Sequence, residues 1–131
     1  AQACWRGPRL YDGERTAQMV RQQVQWFLAH RGILESDVIH SSSRRPDGQD
    51  LDWVLHSNPA CDPPAMLVVF NPTLERRKRI VPVNLYYSTL QRRAIATNQD
   101  GEVYDLVVDP RGRCAVEVDI PAGEMGWFSF R

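Results

Sequence analysis

The sequence predicts a mainly β domain, an antiparallel β-sandwich of about seven strands preceded by one amphipathic α-helix. Two observations carry that expectation. Residues 16–30 form a Gly- and Pro-free stretch of helical composition, and the rest of the chain is a series of short apolar or alternating runs, each closed by Gly, Pro, Asn or Asp. No second helical stretch separates those runs, so tight turns rather than helical crossovers must join them, as in antiparallel sheets.

Residues 1–12 carry Gly7-Pro8 and no periodicity, which reads as an extended lead-in with Trp5, Leu10 and Tyr11 as anchors. The helix over 16–30 is expected to end at Arg31-Gly32, with Gly32 supplying a left-handed cap and His30 and Arg31 facing the negative end of the dipole. At 100° per residue, Ala17, Val20, Val24, Phe27 and Leu28 share one apolar face, while Met19 and Trp26 fall nearly opposite. Met19 and Trp26 are therefore the candidate interface residues, because a helix packed on one sheet needs only one apolar face. Ile33-Leu34 and Val38-Ile39 then lead into a polar loop with Asp47-Gly48 near its tip.

In the run 51–56, Leu51, Trp53 and Leu55 alternate with Asp52, Val54 and His56, so the first set should face the core. The stretch 65–73 is the organising one. Its six apolar residues Ala-Met-Leu-Val-Val-Phe lie between Pro63-Pro64 and Asn71-Pro72, the pattern of a strand buried on both faces at the centre of a sheet. The runs 51–56 and 79–85 are expected beside it. In 79–85, Val81, Val83 and Leu85 share a face, and Pro82 places the strand at an edge. Residues 92–108 read as a hairpin around Asp100-Gly101, and Asp109 to Gly112 as a further turn. Cys114, Val116, Val118 and Ile120 alternate with polar residues, Pro121-Ala122-Gly123 turns, and 126–130 closes the domain with Trp127, Phe128 and Phe130.

At 131 residues and 43% hydrophobic composition the chain can bury a real core, and length suggests one compact unit. Within it, 1–32 forms the lead-in and helix, and 33–131 the sandwich. Lys plus Arg and Asp plus Glu are 16 each, so no net field draws the chain to nucleic acid or an anionic membrane, and neither partner is expected. No apolar run approaches the length of a membrane span. The first residue is Ala1 rather than Met, which suggests a processed or excised piece. Cys4, Cys61 and Cys114 include no C-x-x-C pair, so they read as thiols, with Cys114 in the core, and fix no compartment.

Catalytic machinery is not legible. His30, His40 and His56 lack metal-ligand spacing, and no nucleophile elbow or phosphate-cradling loop is present, so no catalytic residue, metal site or cofactor is expected. Asp47, Asp50 and Asp52 lack the order of a calcium loop and lie too close in sequence to flank a glycosidic bond. The remaining candidates are aromatic platforms for sugar stacking: Trp53, Tyr86, Tyr87 and Trp127. The Tyr86-Tyr87 pair is the best placed, since neighbours in a strand point to opposite faces.

The order G-P-R-L-Y-D (7–12), the helix with Trp26-Phe27, I-L-E-S-D-V-I-H (33–40), R-R-P-D-G-Q-D-L-D (44–52), L-H-S-N-P (55–59), M-L-V-V-F-N-P-T (66–73) and V-N-L-Y-Y (83–87) resembles the C-terminal end of large glycoside hydrolases of the α-galactosidase kind. The resemblance implies the last helix of a (β/α)8 barrel leading into an antiparallel β-sandwich that lacks the catalytic carboxylates. It departs at Ser41 to Ser43 and at Ser88-Thr89, where Thr-Gly would commonly follow the paired tyrosines. On this resemblance the chain is an accessory, non-catalytic domain of a carbohydrate-active enzyme whose partner is the catalytic barrel of a parent glycosidase. The alternatives are an autonomous carbohydrate-binding module and a protein-interaction sandwich.

Overall fold

The computed structural model describes residues 13–40 and 46–131. The expected lead-in, Cys4 and the loop residues Ser41 to Arg45 lie outside them. By contacts the chain divides into two compact units, one ending at Arg31 and the other running Gly32–Arg131.

The first unit contains helix α1, Glu14–Ala29. Gly13 stands at its N-cap without a side-chain cap, and the Ala17 amide donates to the Gly13 carbonyl at 3.0 Å. The C-terminus differs from expectation. The His30 amide donates to the carbonyls of Trp26 and Phe27, and its ring Nδ1 lies 2.8 Å from the Trp26 oxygen, so His30 itself caps these two carbonyls. Gly32 therefore supplies no left-handed cap and sits inside a short helix α2, Arg31–Leu34. On α1, Ala17 is buried and Val20 and Phe27 are half-buried, whereas Val24 and Leu28 are exposed.

The second unit carries eight strands among the described residues: β1 (Asp37–Ile39), β2 (Asp52–Ser57), β3 (Ala65–Phe70), β4 (Arg77–Asn84), β5 (Arg93–Asn98), β6 (Val103–Val107), β7 (Arg113–Ile120) and β8 (Met125–Phe130). The mainly β, antiparallel sandwich is the observed class. Six strands form one sheet in the order β1-β2-β3-β8-β5-β6, and β4 and β7 form a two-stranded sheet, all pairs antiparallel. The eighth strand is β1, too short to give an alternation signal in the sequence.

Strand β3 is interior to the large sheet, as its apolar run predicts. Its expected neighbour β2 is present, but β4 is not beside it. The place falls to β8, with Leu67 opposite Phe128 and Ala65 opposite Phe130. The reason is topological. Strand β4 exposes Ile80 and Pro82 on alternate positions and pairs with β7, whose outward positions are Ala115, Glu117 and Asp119, so the pair forms a half-solvated second layer. Pro82, without an N–H, fits this two-stranded sheet, where each strand has an open side.

The core lies between the two sheets. Leu51, Leu55, Leu67, Val69, Phe128, Phe130, Ala94 and Ala96 of the large sheet meet Val81, Val83, Leu85, Val116, Val118 and Ile120, with Trp53 and Cys114 packed at the margin. Gly126 belongs to this contact, since a Cβ there would stand 2.5 Å from Cδ1 of Ile120. Asn71, just past β3, joins the sheets at one corner. Its side chain is 2% exposed; Nδ2 donates to the carbonyls of Glu75, Ile120 and Pro121 at 2.8, 2.9 and 3.0 Å, and Oδ1 accepts from the Thr73 amide and hydroxyl.

Candidate functional site

The expected aromatic platforms are scattered over the sandwich. Trp53 is half-buried against the core, and Trp127 is half-buried on β8. Tyr86 and Tyr87 are different: 64% and 60% exposed, with rings 5.2 Å apart and edge to face at 87°. Both are exposed for a reason the strand argument missed. They do not continue β4 but occupy a 3-10 turn, Tyr86–Ser88, so neither ring is directed into the core by a pleat.

That turn is tightly built. The Leu85 amide donates to the Gly112 carbonyl at 2.7 Å, and the buried Ser88 hydroxyl donates to the Leu85 carbonyl at 2.7 Å. Gly112 has φ +77, and a Cβ on it would lie 2.7 Å from the backbone of Tyr86, so the turn rests directly on this glycine. Thr89 ends the turn at φ +63, ψ 6, a left-handed conformation that costs a β-branched residue strain. This is the position where the resemblance leads one to expect glycine.

Beside Tyr87 lies an open depression of about 280 Å³, lined by Glu35, Ser36, Asp37, Ser57, Asn58 and Pro59. The first residues of β1 and the end of β2 bring these together, with Asp37 directly opposite Ser57 in the ladder. Asn58 is held in place: Nδ2 donates to the Ser36 hydroxyl at 3.2 Å and Oδ1 accepts from the Ala60 amide at 3.0 Å. The Ser57 hydroxyl is buried and has no hydrogen-bond partner. Glu35, Ser36 and Asp37 fall in the stretch 33–40 and Ser57, Asn58 and Pro59 in 55–59, both among the ordered stretches of the resemblance, but nothing in the sequence joins the two.

A larger cleft of about 540 Å³ is lined by residues of the β5–β6 hairpin, of β4 and β7 and of β8. Its walls include Trp127, Tyr104, Glu102, Arg76, Lys78 and Asp119. The charges are internally paired: Arg76 with Asp119 at 2.6 Å, and Lys78 with Glu117. Glu102 accepts from the Tyr104 hydroxyl and from Asn98, each at 2.8 Å. The Tyr104 hydroxyl bond, then the Asn98 bond, hold the Glu102 carboxyl below its usual range, and Arg76 does the same for Asp119, chiefly by hydrogen bonding. A glycosidase general acid needs the opposite, a carboxyl kept protonated near neutrality. Glu102 and Asp119 are poised to stay ionised.

No family model and no curated protein matches this chain.

The other residues singled out in the sequence take structural places. Met19 on α1 is exposed and Trp26 half-buried. Asp50 accepts from Arg79 Nε at 3.2 Å, tying its loop to β4, and Asp47 accepts from the Gln49 amide within its own turn. Among the described residues no group of three His, Cys, Asp or Glu side chains could hold a metal ion. His56 is half-buried, and desolvation lowers its pKa; Cys114 is half-buried, and desolvation pushes its thiol up to about 11, which makes it a poor nucleophile. Among the described residues no helix is long and apolar enough to cross a membrane.

Proposed function

We propose that the protein is a non-catalytic β-sandwich domain of a carbohydrate-active enzyme of the glycoside hydrolase kind, which supports a catalytic (β/α)8 barrel. The observation that carries the reading is the second face of the large sheet. Register places Val38, His56, Met66, Ser129, Thr97 and Val103 in one row across all six strands, on the side opposite the core. Val54, Val68 and Trp127 form the next row. Met66 and Val68 are buried, while Phe70, Ile95, Val103 and Val107 at the margins are 42%, 50%, 65% and 81% exposed.

An antiparallel sheet in an isolated sandwich needs one apolar face; its other face is normally polar. A second face that buries Met66 and Val68 at its centre and exposes Phe70, Ile95, Val103 and Val107 at its margins, amid polar His56, Thr97 and Ser129, suits a domain built to lie against another. The ordered motifs of the glycoside hydrolase resemblance name that neighbour as a barrel. The ionised, internally paired carboxylates of the larger cleft agree with a domain that does no bond cleavage of its own.

The test is the coding sequence upstream of Ala1. An open frame of alternating β and α segments running into Ala1 is expected; an initiation codon immediately before it overturns the reading. Purified chain should leave aryl glycosides uncleaved, and turnover above the blank that copurifies with the chain would equally overturn it.

A further inference from the structure

We propose that the depression beside Tyr87 is a binding site for one unit of a neutral saccharide. The choice of a saccharide among polyols rests on the carbohydrate-active reading above; the site itself rests on its own geometry. Tyr87 offers a flat apolar ring at the rim, 60% exposed, and the Tyr86 ring set edge-on against it at 5.2 Å limits how it can turn. Such a ring takes the C–H face of a pyranose, while its surroundings must satisfy hydroxyls.

The surroundings fit that requirement. Asp37 and Glu35 bring carboxylate acceptors for sugar O–H groups, and Asn58 brings an amide whose orientation is fixed by its bonds to Ser36 and Ala60. Ser57, 4% exposed, completes a lining of otherwise exposed or half-buried residues. The volume of about 280 Å³ suits a single ring rather than a long chain bound along its length.

Sign decides which sugars. Asp37 lines the depression and, among the described residues, no Lys or Arg lines it, so a uronate carboxylate meets like charge while a neutral sugar meets none. The site therefore selects neutral over acidic saccharides.

Affinity gel electrophoresis of the 131-residue chain tests this, with neutral α- and β-linked polysaccharides, polygalacturonate, and spermidine as a cationic competitor. Retardation by at least one neutral polysaccharide is expected, weakened at least tenfold by Tyr87→Ala, retained by Tyr87→Phe, and weakened by Asp37→Asn. Near-UV circular dichroism checks that each variant is folded. Equal retardation of wild type and Tyr87→Ala, retardation by polygalacturonate alone, or displacement of the sugar by spermidine at Asp37 would overturn the site. No retardation by any neutral polysaccharide also overturns it but leaves the domain reading standing, because the upstream coding sequence decides that separately.

Discussion

Replacing Asn71 by alanine should cost this domain a large share of its stability. The side chain is 2% exposed and makes three donated contacts, to the carbonyls of Glu75, Ile120 and Pro121, and two accepted ones from Thr73. An amide nitrogen has only two hydrogens, so the three carbonyls share them, and the set counts as about three full hydrogen bonds at roughly 1 kcal/mol each. Alanine also leaves the Ile120 carbonyl without its buried donor, a desolvation penalty of about 1–3 kcal/mol. The expected loss is about 4–6 kcal/mol, against a typical total of about 5–15 kcal/mol. For a chain of this size that lowers Tm by roughly 15–22 °C. Urea melts followed by tryptophan fluorescence read the change as a shifted midpoint with an unchanged slope.

The near-isosteric Asn71→Asp separates hydrogen bonding from volume. A carboxylate there turns an oxygen toward three carbonyls, so at pH 7 it should cost at least as much as alanine. Burial raises the folded-state pKa of that introduced carboxyl. Its protonated form is then favoured in the fold, and the variant regains stability as pH falls toward the ordinary carboxyl range and loses it again on the way up. A loss below about 1 kcal/mol for Asn71→Ala, with no pH dependence for Asn71→Asp, would refute the idea that these bonds hold the corner.

Other outcomes can be checked by the same melts. Thr89→Gly should stabilise by about 0.5–1 kcal/mol, because glycine adopts φ +63 without the steric cost that threonine bears there. Gly112→Ala should destabilise by about 1–2 kcal/mol from its φ of +77 alone and by more from the 2.7 Å approach to Tyr86, which also displaces the tyrosine pair. His56 has a pKa lowered by desolvation, so it favours folding as a neutral ring. Wild-type stability should therefore fall as pH drops from the ordinary histidine value of about 6.5 through the lower folded value, and His56→Gln should flatten that part of the curve.

Strand content was legible where side chains alternate or run apolar between turn residues. Leu51 and Leu55, the first five residues of β3, and Val116, Val118 and Ile120 take the places their pattern predicts, whereas Phe70 at the end of β3 is exposed. Pairing was less legible. Periodicity states which face a residue takes, not which strand lies beside it, so β4 was expected next to β3 although it pairs with β7 in the second sheet. Strand alternation predicts one exposed tyrosine of the pair; both are exposed, because they sit in a three-residue 3-10 turn, which leaves no periodic trace. The depression beside Tyr87 was not legible at all. Asp37 and Asn58 meet it only through strand register and a turn, which single-sequence patterns do not encode.

The position of β8 between β3 and β5 has a consequence for the newly made chain. During synthesis β2 and β3 leave the ribosome before the other strands of their sheet except β1, and the strand that covers the other side of β3 follows only after β4, β5, β6 and β7. Until Met125–Phe130 is made, the most apolar strand of the protein carries an unpaired edge, and the β5–β6 hairpin has no sheet to join. Closure is therefore a late, long-range event, and the interval before it is when this chain is most open to mispairing with another copy of itself.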